Sequence, residues 1–240
     1  MRINRCMVCF LIAALLIGVT GCISKTDNSN LKTENQSVQL DDAKRVSVNA
    51  HMGAGTLGIQ NGTDKLMEGE FIYNVPEWKP TIAYSRTGDN GILNIEQPSF
   101  TTNISIGDNR NEWNLKLNKN VPTDLSVYLG AGNSNLRLNG MNLSSLQVKM
   151  GAGELAMDLS GAWGRDVTVD VSGGVGKTTI TLPKSIAVIV DVSKGIGSIS
   201  ADGFRLSGDS YVNDAYGKSD ITMRVKISTG VGETKLILSN

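Results

Sequence analysis

The chain has 240 residues, with 23 basic against 23 acidic side chains, one His, three Cys and 27 Gly, and 40% of it is hydrophobic. This balance, with a pI near 6.6, excludes the Lys/Arg excess with which nucleic-acid binders neutralise phosphates. One His and few Cys leave almost no material for imidazole or thiolate catalysis or for a zinc site.

Arg2 and Arg5 precede an uncharged run from Met7 to Val19, the layout of an export signal. The run is short of the roughly 20 apolar residues a spanning helix needs. It closes as Val19-Thr20-Gly21-Cys22, the pattern of a lipoprotein cleavage site. Residues 1–21 therefore read as a signal peptide, and Cys22 as the lipidated first residue of the mature chain. Its acyl chains would hold the protein on the extracytoplasmic face of the cell membrane, since two chains give lasting attachment where one does not. Cys6 and Cys9 fall in the leader, so no disulfide is expected. Without Arg2 and Arg5 the chain keeps 21 basic against 23 acidic residues, too nearly neutral to grip anionic lipid by charge. Residues 22–44 are rich in Ser, Lys, Thr, Asp, Asn and Gln and read as a flexible tether. Residues 45–240 then form one domain.

Within that domain the strongest signal is repetition. Gly-x-Gly recurs at Gly53/Gly55, Gly130/Gly132, Gly151/Gly153, Gly174/Gly176, Gly195/Gly197 and Gly230/Gly232, and the last five copies start 21, 23, 21 and 35 residues apart. Alternating apolar residues precede each copy, as in Val46/Val48/Ala50 and Leu125/Val127/Leu129, and a second short alternation follows most, as in Leu57/Ile59 and Leu136/Leu138. Such alternation marks strands with one buried face. The unit is strand, glycine turn, strand, and a rung of this size must stack on its neighbours to bury a core. The expected fold is all-β, a β-solenoid of stacked short strands with the twelve glycines as structural turns. The longer last gap predicts an insertion at about residues 203–220. Between Gln60 and Asn120 the pattern changes to shorter strands. There Asn90-Gly91 gives a hairpin signal, and Pro76 and Pro80 around Trp78 give a turn or an edge.

The segment Ser172-Gly-Gly-Val-Gly-Lys-Thr-Thr179 imitates a phosphate loop. It lacks the motif's first Gly, at the position of Val171, and continues as a strand to Pro183 instead of opening a helix, so no nucleotide is expected. The residues two after each turn, Leu57, Ser134, Leu155, Thr178, Ile199 and Thr234, include no carboxylate, which excludes the calcium ladder of glycine-rich β-rolls. His51 reads as structural, and Asp191, Asp202, Asp214 and Asp220 as isolated surface acids. No cofactor, metal or catalytic residue is expected. The aromatics Trp78, Trp113, Trp163, Tyr211 and Tyr216 suit either buried caps or a surface that stacks on sugars or partners. Among them Trp78, Trp113, Tyr211 and Tyr216 are the candidate interaction residues, Tyr211 and Tyr216 within the insertion.

Taken together, GAGTLGI at Gly53, EGEFIYNVPEWKP at Glu68, WNLKLNKNVPTDLSVYLGAG at Trp113, VKMGAGELAMDLSG at Val148, SGGVGKTTITLP at Ser172, KGIGSI at Lys194, YVNDAYGKSD at Tyr211 and STGVGETKLIL at Ser228 resemble the toast-rack family. That family is itself similar to the C-terminal region of LiaF-type envelope-stress regulators and to adhesin-like domains. The resemblance implies a β-solenoid and carries over no catalytic residue. The functional expectation is a non-enzymatic, lipid-anchored surface module binding an envelope protein or another copy of itself through its strand edges. The alternative is an adhesin-like protein that binds glycan or cell wall.

Overall fold

A computed structural model describes residues 31–99 and 109–239; the predicted signal peptide, Cys22 and the first part of the predicted tether lie outside them. The elements are β1 (Lys32–Val38), β2 (Arg45–Thr63), β3 (Met67–Tyr73), β4 (Thr81–Thr87), β5 (Asn90–Glu96), β6 (Asn111–Asn118), β7 (Thr123–Arg137), β8 (Leu143–Asp158), β9 (Val167–Leu182), β10 (Ala187–Asp202), β11 (Arg205–Ser207), β12 (Ser210–Val212) and β13 (Thr222–Leu238), with a 3-10 turn at Pro76–Trp78. All belong to one mixed sheet of 13 strands.

Six of these strands, β2, β7, β8, β9, β10 and β13, carry the glycine repeat, and here the sequence expectation needs its first correction. The pairs Gly53/Gly55 in β2, Gly130/Gly132 in β7, Gly151/Gly153 in β8, Gly174/Gly176 in β9, Gly195/Gly197 in β10 and Gly230/Gly232 in β13 are not turns between two strands; each lies inside one continuous bent strand. Parallel pairing runs straight through the corner, from Met52↔Leu129 to Ala54↔Ala131 and Gly55↔Gly132 in β2 and β7. In β9, Gly176 pairs with Gly153 on one side and Gly232 on the other. The reason is that all rungs bend at the same register position, so no ladder hydrogen bond has to break. In the sequence the glycines interrupt the apolar alternation as a turn would.

Two arms result, meeting at the glycines, and the core fills the angle between them. On the first arm Val48, Leu125, Leu146, Val169, Val225 and Val190 align in consecutive rungs. Ile59, Leu136, Met157, Ile180 and Leu236 do so on the second. All eleven are buried, each aliphatic contributing about 1.5–3 kcal/mol of transfer free energy.

The bend accounts for both glycines of a pair. The second has positive φ, 145° at Gly55 and 142° at Gly176, within a range from 131° at Gly153 to 149° at Gly232. A Cβ on Gly153 would also stand 1.8 Å from the carbonyl oxygen of Gly132 in the rung below. In every repeat strand but β2 the first glycine is needed for space alone, as a Cβ on Gly151 would meet the Gly130 oxygen at 2.3 Å. Backbone thus packs on backbone through the whole stack.

Shorter strands close the N-terminal end. On the first arm β5 pairs parallel with β2, and β4 pairs antiparallel with β5. On the second arm β6 pairs with β2, then β3 with β6, and β1 with β3. Gln97 and Asn111 cover the corner between them: Gln97 Oε1 accepts from the Gly53 backbone N–H at 2.9 Å, and Asn111 Nδ2 donates to the Ala54 carbonyl at 2.8 Å.

Three further features depart from the sequence expectation. The tether predicted over 22–44 is too long, because Lys32–Val38 pairs in full with Met67–Tyr73. Its own polar residues hide this strand, whose docking comes from the neighbour it joins. The β4–β5 turn is Gly88-Asp89, flanked by the pair Thr87↔Asn90, with Gly88 at φ 58°; Asn90-Gly91 already belongs to β5. Finally, the rungs do not stack in chain order. The last strand, β13, lies between β9 and β10, parallel to both. The predicted insertion makes this route feasible: β11 and β12 form a hairpin whose β12 covers Ile189–Asp191 on the outer side of β10.

Candidate interaction surfaces

The predicted aromatic surface is not formed. Trp113 is fully buried on the inner side of β6, edge-on to Phe71 at 5.6 Å, and Trp78 and Trp163 are 5% and 6% exposed. Tyr211 and Tyr216 are half-buried, Tyr211 against the core. Trp113 alternates with Leu115 and Leu117 along β6, and all three side chains are buried on the same inner face. Trp163 donates from Nε1 to the Leu159 carbonyl at 2.9 Å, which satisfies a polar atom that burial would otherwise penalise. The exposed aromatic pair is instead His51 with Tyr128, ring centroids 4.3 Å apart on adjacent rungs.

In the insertion the residue that matters is Asn213, which sequence reasoning passed over between the two tyrosines. It is fully buried. Its Oδ1 accepts from Val188 N–H at 3.0 Å, and its Nδ2 donates to the carbonyls of Ile186 at 2.8 Å and Pro183 at 3.3 Å. One side chain thus ties the insertion to the link between β9 and β10.

The phosphate-loop imitation has a plain structural role. Lys177 lies in register between Glu154 and Glu233, 3.9 Å from a Glu233 oxygen, both side chains about half exposed. Such a pair contributes less than about 1 kcal/mol. Of the positions that a calcium ladder would use, Leu57, Ser134, Leu155, Thr178 and Thr234 point into the core. Among the described residues no group of His, Cys, Asp and Glu is placed to hold a metal ion, and no helix is long and apolar enough to cross a membrane.

Two surfaces remain. The first is the far end of the stack. Among the described residues, β10 is the one repeat strand with a half that has no strand on its outer side: Ser193–Asp202 pairs only with β13. The middle residues of the corners align across the rungs as Ala54, Ala131, Ala152, Val175, Val231 and Ile196. This column ends at that edge in exposed aliphatics, with Ile196 75% exposed. Lys194 Nζ donates to the Gly197 carbonyl, a charge placed at an open edge.

The second is a trough on the outer face of the second arm. Three adjoining depressions of about 430, 360 and 490 Å³ share Glu70, Asn114, Lys116, Thr56 and Asn135 among their walls. They run across β1, β3, β6, β2, β7, β8 and β9, roughly 30 Å at the usual strand spacing. The floor is a register row, Asn114, Gly58, Asn135, Ala156, Thr179. Gln60 and Arg137 stand on one side of it, Glu154 and Lys177 on the other. Gly58 gave no signal in the sequence, because it belongs to no Gly-x-Gly pair.

Comparison with known proteins agrees with this architecture. The family model for the N-terminal domain of toast_rack matches residues 27–181; β10 to β13 continue the same stack beyond it. The crystal structure of a candidate cell adhesion protein from Clostridium sporogenes is similar, with 39% identity and a TM-score of 0.85, covering 87% of this chain and all of that one. That of a candidate adhesin from Bacteroides fragilis is 10% identical over 86% of this chain and 97% of that one, with a TM-score of only 0.28. No curated protein matches. With well over half its length matched, the chain belongs to the family of the N-terminal domain of toast_rack.

Proposed function

We propose that the chain is a non-enzymatic interaction module displayed on the extracytoplasmic face of the cell membrane, anchored by lipid at Cys22, and that it holds an envelope protein by strand addition to the free half of β10. The carrying observation is that, among the described residues, the run Ser193–Asp202 has no strand on its outer side in a stack whose other repeat strands are paired on both sides. The β11–β12 hairpin continues the sheet beside it on the first arm, so the end of the stack is a step against which an extended strand can add. Such a strand would gain main-chain hydrogen bonds from the edge and an apolar contact from Ile196. The edge lies at the opposite end of the sheet from β1, the strand nearest Cys22 in sequence. The similar protein from Clostridium sporogenes, described as a cell adhesion candidate, supports a surface role.

A photoreactive residue at Ser198, introduced in intact cells, tests the contact. The expected product is one envelope protein cross-linked through an extended segment, reduced at least five-fold by Ile196→Asp at unchanged melting temperature. Capture of the same chain alone would make the contact self-association, and no capture would remove it. The anchor is tested separately: Cys22→Ala should abolish lipid labelling and release the protein from the membrane fraction.

A further inference from the structure

The edge of β10 leaves the trough on the second arm without a role, and its chemistry differs from that of a strand-pairing site. A sheet face offers no free main-chain ladder, so a β-strand has little to hold there. None of the exposed large apolar side chains, among them Val175, Val231, Ile196 and Leu206, lines it, which disfavours an amphipathic helix. Its charges interleave, Lys65, Lys116, Arg137 and Lys177 against Glu68, Glu70 and Glu154, so a polyanion would meet repulsion as well as attraction along it, with no continuous cationic track.

What the trough does offer is a periodic array of amides and small residues. Asn114 and Asn135 flank Gly58 on adjacent strands, and Asn135 and Thr179 flank Ala156. The small side chains leave two shallow slots walled by groups that can both donate and accept hydrogen bonds, and Asn114 Oδ1 leans over the first, 3.2 Å from where a Cβ on Gly58 would stand. The slots repeat every second strand, about 10 Å apart, a spacing comparable to the disaccharide repeat of a β-1,4-linked glycan. The side chains of Gln60, Asn135 and Arg137 have no hydrogen bond or ion pair with the described residues, so their polar groups are available to a ligand.

We propose that this trough binds a β-1,4-linked glycan strand lying along the stack, with sugar rings seated over Gly58 and Ala156 and held by Asn114, Asn135 and Arg137. The proposal is independent of the strand-addition contact at β10. With no aromatic platform at the site, each contact is weak, and many anchored copies on one surface would supply the avidity.

The test is co-sedimentation of the full chain, in detergent, with chitin and cellulose, competed by soluble chitohexaose, maltohexaose and heparin. The expected result is binding to at least one of the β-1,4 polymers, competed by chitohexaose and by neither maltohexaose nor heparin. Ala156→Trp, which fills one slot on an exposed strand face, and Asn135→Ala should each lower the bound fraction at least five-fold with unchanged melting temperature. Ile196→Asp should leave binding intact, which separates this site from the edge. No binding to either polymer, binding untouched by both trough variants, or competition by heparin would each overturn the proposal.

Discussion

Gly153 and Gly53 occupy equivalent corners of the stack but carry different constraints. Gly153 combines φ 131° with the Gly132 carbonyl 1.8 Å from where a Cβ would sit, whereas nothing lies nearer to a Cβ on Gly53 than Gln97 Oε1 at 3.5 Å. Gly153→Ala should therefore cost at least about 3 kcal/mol, from backbone strain together with forced separation of two rungs. Gly53→Ala should cost less than about 1 kcal/mol. Urea unfolding of the two variants checks the contrast, and equal losses would mean that the stacking of carbonyls under the glycines is not what demands them. Asn213→Ala leaves the Val188 N–H and two carbonyls without partners, and should cost about 2–4 kcal/mol in the same measurement. The corner glycines were legible because their requirement repeats, though the strand that runs unbroken through Gly55 and Gly176 was not. Asn213 was not legible either, since a single Asn in a Tyr-rich stretch gives no hint of the three backbone groups that it reaches.

At the scale of elements, β1 is held at the sheet edge by its ladder to β3 and, around Glu34, by a small side-chain cluster. Tyr73 Oη donates to Glu34 Oε1 at 2.6 Å, and Lys79 Nζ lies 2.9 Å from Glu34 Oε2. The hydrogen bond from Tyr73, then that from Lys79, holds the Glu34 carboxyl below its ordinary value. Burial first, and the same carboxylate second, push the Tyr73 phenol up to about 12. A lowered carboxyl stabilises above its ordinary pKa of 4.5 and loses that contribution as pH falls through the lowered value. A raised phenol stabilises below its ordinary 10.0 and loses it as pH rises toward about 12. Hydrogen exchange should accordingly show β1 losing protection before the repeat strands at both acid and alkaline extremes. Glu34→Gln should flatten the acid limb, and uniform loss across the sheet would contradict this. The alternation in β2 to β10 made those strands readable. In β1 the same reading failed because it has no apolar face of its own: Lys32, Glu34 and Gln36 look like solvent-facing chain until β3 is beside them.

For the molecule as a whole, a register shared by every rung made the architecture legible and the order of the stack illegible. The glycines and the alternation specify how any rung sits on any other, so register alone does not favour β13 over β10 as the neighbour of β9. The sequence could show a 35-residue gap but not which edge the last rung would take. The trough escaped for a related reason: its floor is assembled from single small residues on separate strands, and only the register brings Gly58 and Ala156 into one row. Interleaving also has a consequence for how the protein is made. The 17 residues of β13 leave the ribosome after β9 and β10, yet they fill the position between those two strands. Until they arrive, β9 presents an open edge, and β10 can close on it in the same register. Productive folding must then either hold β10 away or reverse that premature closure. Chains halted at Asp220 should accumulate in the closed form, detectable as protection of β9 amides acquired without β13. Full-length chains should refold with a slow phase that a stable β9–β10 mispairing would set.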